Sequence, residues 1–491
     1  MNSPISSLLG SSLIYGMSSM LQRFSTLLLL PILTENLSTE EYGVYALLVL
    51  LGTIAQPVFG LGLNGAMGPQ YFKASCDLAR RHVTWTALAI AAMSAWVLML
   101  ISWAMPGLLL KCVLLDEAYS VYASLLLTGT AVAIVSSPLT QRIQFEEKAR
   151  RFFVISMSST LATVVLSLVG VVIWKHGVLA LIYAQLAGNL ISLLLGFLFA
   201  KMKGRPVVSR KIMFEILKVG LPLVPSFAFL FIMANAGKYA LQGFHGESTL
   251  GIYTVGFQLG TSVNMVVGAL ATAWYPFFMK YHARVDEATE LFGRLTRYYA
   301  VMIGFVCLCL FALADVLMFY LVNESYYDAR KIIAIVGAAY AISGFFNLFL
   351  PPLYFGERVA MITPIQMLAA ICAIVLAVLL CPGLEELGAS MSMLGGYLLM
   401  AMTLFLYNCF SSSISLKIRY DYGRIARFGL MAMIIALMSR FSVSAGSILF
   451  YAKPLVLITA SGFAVWFTLL RQERQYLRSR LLNPFSGLRN I

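Results

Sequence analysis

The sequence predicts an all-α polytopic membrane protein of about 14 transmembrane helices, arranged as two pseudo-symmetric six-helix bundles followed by two C-terminal helices. Three observations predict this fold: an apolar composition, fourteen long apolar stretches and an internal repeat. Apolar residues make up 60% of the 491 residues and charged residues only 11%, whereas a soluble domain carries roughly 25% charged residues. Such a chain cannot cover a water-facing surface with polar groups, so its main solvent must be lipid.

Fourteen stretches are long and apolar enough to cross a bilayer, whose core of roughly 30 Å needs about 20 helical residues. They lie at residues 9–33, 42–66, 83–110, 118–140, 152–174, 177–200, 214–242, 250–276, 298–321, 332–356, 359–382, 388–411, 425–441 and 452–470. The first stretch is polar and the thirteenth is short, so twelve or thirteen spans are the alternative count.

The loops between these stretches alternate between many and few basic residues. Of the 35 Lys and Arg residues, 26 lie in the even-numbered loops and the C-terminal tail, six in the odd-numbered loops and three within spans. Because basic residues are retained on the cytoplasmic side, this alternation predicts that both termini are cytoplasmic. The net charge of +14 is therefore mostly topological and does not indicate nucleic acid as a partner. The seven cysteines show no metal-ligand spacing, so no metal site is expected.

An internal repeat relates the second predicted span to the eighth. EYGVYALLVLLGT at 41–53 matches TLGIYTVGFQLGT at 249–261 at a constant offset of 208, with Gly43 on Gly251, and Gln56 falls on Asn264. Six spans separate the copies, so the halves have the same orientation, a design known in transporters. The predicted domains are two six-helix bundles at 1–204 and 205–416, two extra helices within 417–470 and a basic cytoplasmic tail at 471–491.

Two segments resemble a known family. LLLLPILTENLSTEEYGVYALLVLLGTIAQPVFGLGLNGAMGPQYF at 27–72 is similar to the opening of Wzx-like polysaccharide flippases, which belong to the multidrug/oligosaccharidyl-lipid/polysaccharide (MOP) exporter superfamily. KVGLPLVPSFAFLFIMANAGKYAL at 218–241 resembles the seventh helix of that family, with its Gly-Leu-Pro-x-x-Pro entry. Many members place an acidic residue and an arginine near the end of that helix, whereas here Lys238 is the only charge in the stretch NAGKY.

The resemblance implies a MATE-like fold, in which two bundles face each other across a V-shaped cavity. It implies a flippase of a bacterial inner membrane, not an enzyme, that moves a polyprenyl-pyrophosphate-linked oligosaccharide outward by alternating access for surface polysaccharide biosynthesis. The implied partners are the lipid-linked oligosaccharide, membrane lipids, a polysaccharide polymerase and a chain-length regulator. No cofactor is expected, and a coupling ion would be H⁺ or Na⁺.

Two cations inside spans are the candidates for binding a pyrophosphate. A charged side chain at the membrane centre costs free energy, and such residues usually have a function. Arg23, next to Gln22, lies about fifteen residues into the first span, or roughly 22 Å along the helix. Its guanidinium could hold a phosphate through two hydrogen bonds or could bond backbone carbonyls structurally. Lys238 shares a helix face with Asn235 and could face the cavity or snorkel to the membrane surface.

Amides and prolines within spans complete the candidate residues. Gln56 and Asn264 occupy matching repeat positions, where they could bind sugar hydroxyls or form hydrogen bonds between helices. Pro222 and Pro225 remove helix hydrogen bonds at the start of the seventh span and are candidate hinges.

Three other functions are compatible with parts of the pattern. A lipid II flippase would share the anionic lipid substrate, and a MATE-type ion-coupled small-molecule exporter would share the fold. A membrane glycosyltransferase or polymerase would need large outward loops carrying catalytic residues, whereas the loops here are short and show no pair at catalytic spacing.

Overall fold

The computed structural model describes residues 21, 24, 25, 27–111, 113–202, 206–281, 284–411, 416–438 and 448–468, and within these ranges it is helical with no strands. The helices are α1 (Leu27–Asn36), α2 (Thr39–Phe59), α3 (Leu63–Lys73), α4 (Asp77–Ala104), α5 (Pro106–Lys111), α6 (Ser120–Phe145), α7 (Ala149–Leu168), α8 (Gly177–Ala200), α9 (Arg210–Gly220), α10 (Val224–Gly260), α11 (Ser262–Met279), α12 (Val285–Leu321), α13 (Arg330–Leu348), α14 (Pro351–Phe355), α15 (Ile362–Phe410), α16 (Tyr422–Met438) and α17 (Ile448–Thr468).

The predicted all-α membrane fold is confirmed. Among the described residues, nine helical segments are long and apolar enough to cross a membrane, and three shorter apolar helices accompany them at Leu27–Asn36, Ser262–Ala271 and Ala452–Trp466. The count of fourteen spans stays a prediction.

Two of the long helices fold back on themselves. The backbone of α10 leaves helical geometry at Gly246 (φ 81°), and that of α15 does so at Glu385 (φ 48°). In α10 the Lys238 Nζ lies 3.8 Å from the centre of the Phe257 ring, whereas nineteen residues of straight helix would separate them by about 28 Å. Both reversals fall in polar turns that the sequence predicts between apolar stretches. Each long helix therefore joins two predicted apolar stretches through one reversal.

The start of α2 shows how the sequence sets a helix boundary. Ser38 is the N-cap: its hydroxyl accepts the backbone N–H of Glu41, and the Glu41 carboxylate accepts the backbone N–H of Ser38. This capping box satisfies two backbone donors that the first helical turn would otherwise leave without partners. The polar turn LSTEE thus starts the helix that carries the first copy of the repeat.

The sequence repeat has a structural counterpart where α2 crosses the second half of α10. A Cβ on Gly43 would lie 1.9 Å from the Glu247 carbonyl oxygen, and a Cβ on Gly251 would lie 1.9 Å from that of Thr39. The repeat offset of 208 relates Thr39 to Glu247 and Gly43 to Gly251. The contact of Gly43 with Glu247 is therefore equivalent, under the repeat, to the contact of Gly251 with Thr39. The Thr39 and Ser248 hydroxyls, 2.8 Å apart, hydrogen-bond across the crossing. The two copies therefore meet backbone to backbone through their matching glycines.

The chain divides into two compact units. The first comprises Met1–Leu259, Leu321–Ala329 and Ile362–Gly396, and the second comprises Gly260–Tyr320, Arg330–Met361 and Tyr397–Ile491. Within the first unit, α4, α6, α7 and α8 enclose an apolar core built around Leu139 and Ile143. Within the second, Phe428 of α16 packs into the space left by Gly304 of α12. The predicted domain boundaries stay predictions.

Candidate functional site

The site begins at a break between α2 and α3 in the first unit. Leu61 (φ 50°) and Gly62 (φ 66°) adopt left-handed conformations that end one helix and start the next. A Cβ on Gly62 would lie 2.2 Å from the Gly220 carbonyl oxygen, and a Cβ on Gly220 would lie 2.3 Å from the Leu61 carbonyl oxygen. Both positions therefore require glycine, since any side chain would push the break away from the end of α9.

A second break lies directly against the first. Helix α9 ends at Gly220, the turn Leu221–Leu223 is a 3₁₀ helix, and α10 begins at Val224. The candidate hinge residue Pro222 lies within this turn and Pro225 is the second residue of α10, and their missing N–H groups remove hydrogen bonds from the helix there. Irregular backbone at membrane depth is tolerated only where it is buried in protein or lines a water-filled cavity.

A pocket of about 260 Å³ lies beside the two breaks. Its walls come from α2, α3, α6 and α10, and from the Gly60–Gly62 break itself. The described residues that line it are Gln56, Pro57, Gly60, Gly62, Leu63, Asn64, Ile134, Ser137 and Phe227, and none of them carries a charge. The pocket is therefore neutral, and its mainly apolar lining carries three polar side chains, those of Gln56, Asn64 and Ser137.

Several hydrogen-bonding groups in the pocket are available to a ligand. The Asn64 Oδ1 accepts a hydrogen bond from Gln141 Nε2 at 2.8 Å, which leaves the Asn64 NH₂ group free to donate. The side chains of Gln56 and Ser137 have no hydrogen-bond partner in the described part of the chain. The Phe227 ring, 42% exposed, supplies a flat apolar face. Amides and a hydroxyl that both donate and accept, beside an aromatic ring, suit a neutral polyhydroxylated ligand.

Gln141, behind Asn64, extends the polar wall into the protein. Its side chain is nearly buried, and its Oε1 atom has no hydrogen-bond partner among the residues that the structure describes. Gln141 does not itself line the pocket, and its role there is to hold the Asn64 side chain in place through the hydrogen bond to Asn64 Oδ1.

The predicted site residues fall in different places. Gln56 lines the pocket. Lys238 and Asn235 are both buried away from it: the Lys238 ammonium rests on the Phe257 ring, and Asn235 Nδ2 donates to the Phe231 carbonyl oxygen at 2.9 Å. Asn264 lies in α11, in the second unit. Gln22 and Arg23 lie outside the described residues.

Charged groups of the first unit are concentrated elsewhere, at the end of α6. Arg142, 3% exposed, donates to Glu146 at 2.8 Å and to Asp77 at 3.3 Å, and Lys148 also pairs with Glu146. Burial opposes ionisation of the Glu146 carboxyl, but the hydrogen bonds from Lys148 and Arg142 outweigh it and hold its pKa below the ordinary value. These charges are mutually paired, so the cluster joins α4 to α6 rather than offering a free cation.

Comparisons with known proteins agree with this fold. A family model described as "Polysaccharide biosynthesis protein" matches residues 32–331. The lipid II flippase MurJ in an inward closed conformation is similar with a TM-score of 0.74 at 12% identity, covering 96% of this chain and 100% of that chain. An inward-facing multidrug resistance MATE family transporter of the MOP superfamily gives 0.66 at 17% identity, covering 79% and 93%. No curated protein matches significantly. The predicted MATE-like fold is thereby confirmed.

Proposed function

Because the chain belongs to the polysaccharide biosynthesis protein family, we propose that it is a flippase for a polyprenyl-pyrophosphate-linked oligosaccharide, moved from the cytoplasmic to the outer leaflet by alternating access. The matched residues 32–331 are more than half of the 491-residue chain, and the resemblance to Wzx-like flippases is confirmed. The protein acts in this proposal as a transporter and not as an enzyme.

The neutral pocket is the observation that carries the proposal. An oligosaccharide presents many hydroxyls and no obligatory charge. This fits the amide of Gln56 and the NH₂ group of Asn64, which have no partner among the described residues, and the exposed ring of Phe227. Transporters of this kind place substrate sites where helices are interrupted, and the pocket adjoins two interruptions. A cation exporter would instead place a carboxylate there, and no carboxylate is among the described residues lining the pocket.

The pyrophosphate needs a different environment from the sugar. Moving its charge through a low-dielectric region requires a nearby cation to offset the loss of water. We assign this role to Arg23, with Gln22 beside it, on the strength of the sequence alone. Lys238 is a second cation on the path, which would leave the Phe257 ring when its surroundings open.

The orientation and partners follow from the same proposal. In this proposal the protein lies in a bacterial inner membrane with both termini in the cytoplasm, the orientation that the loop charges predict. The substrate would arrive from glycosyltransferases that build it on the cytoplasmic face. It would leave to a polysaccharide polymerase and a chain-length regulator.

The pocket is tested by the rate at which lipid-linked oligosaccharide becomes accessible to a membrane-impermeant oxidant in spheroplasts of a strain lacking the native gene. The double variant Gln56→Ala with Asn64→Ala should lower this rate roughly 5- to 150-fold, since each lost hydrogen bond contributes about 0.5–1.5 kcal/mol. Phe227→Ala should lower it as well, and Arg23→Ala should abolish it at unchanged membrane abundance.

Two matched variants serve as controls. Gln70→Ala removes an amide from α3 outside the pocket, and Phe244→Ala removes an exposed ring of α10 outside the pocket. Both should translocate at the wild-type rate. Unchanged rates in the pocket variants, or equal losses in the controls, would show that the pocket does not bind the glycan. A normal rate for Arg23→Ala would remove Arg23 from the proposal.

A further inference from the structure

A second cavity lies in the second unit, between α16 and α17. Its volume is about 350 Å³, and the described residues lining it are Arg424, Arg427, Leu430, Met431 and Thr468. One end is therefore cationic and the other apolar. Arg424 and Arg427 lie in the first two turns of α16, and Thr468 is the last described residue of α17. The cavity thus opens at one end of the helix pair, at the edge of the predicted spans.

The helix pair is held firmly against the rest of the second unit. The Phe428 ring packs directly against Gly304 of α12. A Cβ on Gly304 would lie only 2.3 Å from this ring. Together with Val301, Leu457 and Ala464, Phe428 forms an apolar cluster of α12, α16 and α17. Arg424 and Arg427, which precede Phe428, therefore extend from a helix that is packed in place, so the cavity is preformed.

Two arginines line the cationic end of this cavity. Asp421 accepts hydrogen bonds from Arg297 at 3.0 Å and from Arg424 at 2.8 Å, and Arg427 lies one helical turn further on. Burial opposes ionisation of the Asp421 carboxyl, but the hydrogen bond from Arg297 and the charge of Arg424 outweigh it, and its pKa stays below the ordinary value. Among the described residues that line the cavity, Arg424 therefore has a carboxylate partner and Arg427 has none.

Asp421, which directly precedes α16, pairs with Arg424, whereas Arg427 has no carboxylate partner among the described residues. The N-terminus of a helix carries a partial positive charge, which repels arginines in its first turns. Helix α16 has no acidic residue in its first turn. Arg427 donates through Nε to the Gly423 carbonyl oxygen at 3.1 Å, and its two terminal NH₂ groups have no partner in the part of the chain that the structure describes. Those groups are free to hold an anion.

We propose that the cavity between α16 and α17 binds the phosphate headgroup of a membrane lipid, with the Arg427 fork and Arg424 on the phosphate and Leu430 and Met431 along the start of the lipid chain. A guanidinium matches phosphate geometry through two parallel hydrogen bonds. The apolar wall continues directly from the cationic end, so the site suits an amphipathic anion and not free phosphate. This site stands apart from the glycan pocket and does not depend on the proposed translocation.

The test is native mass spectrometry of the full chain in detergent, titrated with phosphatidylglycerol, undecaprenyl monophosphate or phosphatidylcholine. The wild-type protein should retain a phosphate-bearing anionic lipid in preference to phosphatidylcholine. Arg427→Gln should weaken this retention at least about tenfold, because a charge-assisted hydrogen bond is lost. Arg427→Lys should show an intermediate loss, since it keeps the charge but not the fork.

Lys417→Gln is the matched control, because Lys417 is an exposed cation of the connection before α16 and does not line the cavity. General attraction of anionic lipid contributes about fivefold per basic residue, so this variant should lose no more than that. Equal losses in Arg427→Gln and Lys417→Gln would overturn the proposal, as would the absence of any preference over phosphatidylcholine. Displacement of the lipid by millimolar inorganic phosphate would show that the cavity takes phosphate alone and would also overturn it. Preference for undecaprenyl monophosphate over phosphatidylglycerol, or the reverse, identifies which lipid supplies the phosphate.

Discussion

Replacing Gly43 with alanine should force α2 and α10 apart where they cross. The new Cβ would lie 1.9 Å from the Glu247 carbonyl oxygen, so the helices must separate by about 1.5 Å to reach an ordinary contact of 3.4 Å. Overpacking of this kind costs about 1–3 kcal/mol. At roughly 1.4 kcal/mol per tenfold change, the closed crossing should become about 5- to 150-fold less populated relative to conformations in which it is open.

The crossing can be assayed with a pair of cysteines. The Thr39 and Ser248 hydroxyls are 2.8 Å apart, so Thr39→Cys with Ser248→Cys should form a disulfide on mild oxidation in a background without the native cysteines. Adding Gly43→Ala should slow disulfide formation. Gly251→Ala should slow it to a similar degree, because its Cβ would meet the Thr39 carbonyl oxygen at the same 1.9 Å.

Gly268→Ala is the control, since its Cβ would have no atom within 4 Å. It should leave the rate of disulfide formation unchanged. A wild-type rate in both Gly43→Ala and Gly251→Ala, with protein of normal thermal stability, would refute the argument that these glycines hold the crossing closed. An equal slowing by Gly268→Ala would also refute it.

The ion cluster at the end of α6 supports two further predictions. Arg142→Gln should lower the free energy of unfolding by about 1.5–3 kcal/mol, because it removes the buried charge-assisted hydrogen bond to Glu146 while Lys148 stays paired with that carboxylate. Thermal unfolding in detergent measures this loss, and an unchanged midpoint would contradict it. The folded-state pKa of Glu146 is lowered, so its ionisation stabilises the fold above the ordinary glutamate pKa of about 4.3, and this contribution disappears as the pH falls through the folded-state pKa. The stability difference between the wild-type protein and Glu146→Gln should therefore be present at neutral pH and vanish on acidification, and a difference independent of pH would contradict the assignment.

Composition and apolar length predicted the membrane fold well, because the need to bury backbone polar groups in lipid leaves few alternatives to helices. The reversals at Gly246 and Glu385 also fall in predicted turns, where polar and glycine residues interrupt apolar stretches. The apolar stretch 42–66 lies inside one candidate span at Thr39–Lys73, as expected, but its helix is interrupted at Gly60–Gly62. Two consecutive residues with positive φ cause this interruption, and the sequence Gly-Leu-Gly is its only local signal.

The candidate pocket was only partly predictable. Gln56 could be selected because an amide in an apolar helix is unusual and has a counterpart in the repeat. Phe227 could not, since an aromatic residue in a membrane helix usually packs in the core or faces lipid. The close approach of Gly62 and Gly220 depends on tertiary packing between distant parts of the chain, and no local pattern reports it. The buried position of Lys238 on the Phe257 ring depends likewise on the reversal within α10.

The crossing of α2 and α10 has the form of a subunit interface. In a homodimer with twofold symmetry, residue i of one subunit contacts residue j of the other, and j of the first contacts i of the second. Gly43 on Glu247 and Gly251 on Thr39 satisfy this rule inside a single polypeptide. The two copies of the repeat therefore pack on each other within one polypeptide as the two faces of an isologous interface do. The pairing of two matching glycines with each other's helix needs only the backbone, so it tolerates sequence differences between the copies such as Gln56 and Asn264.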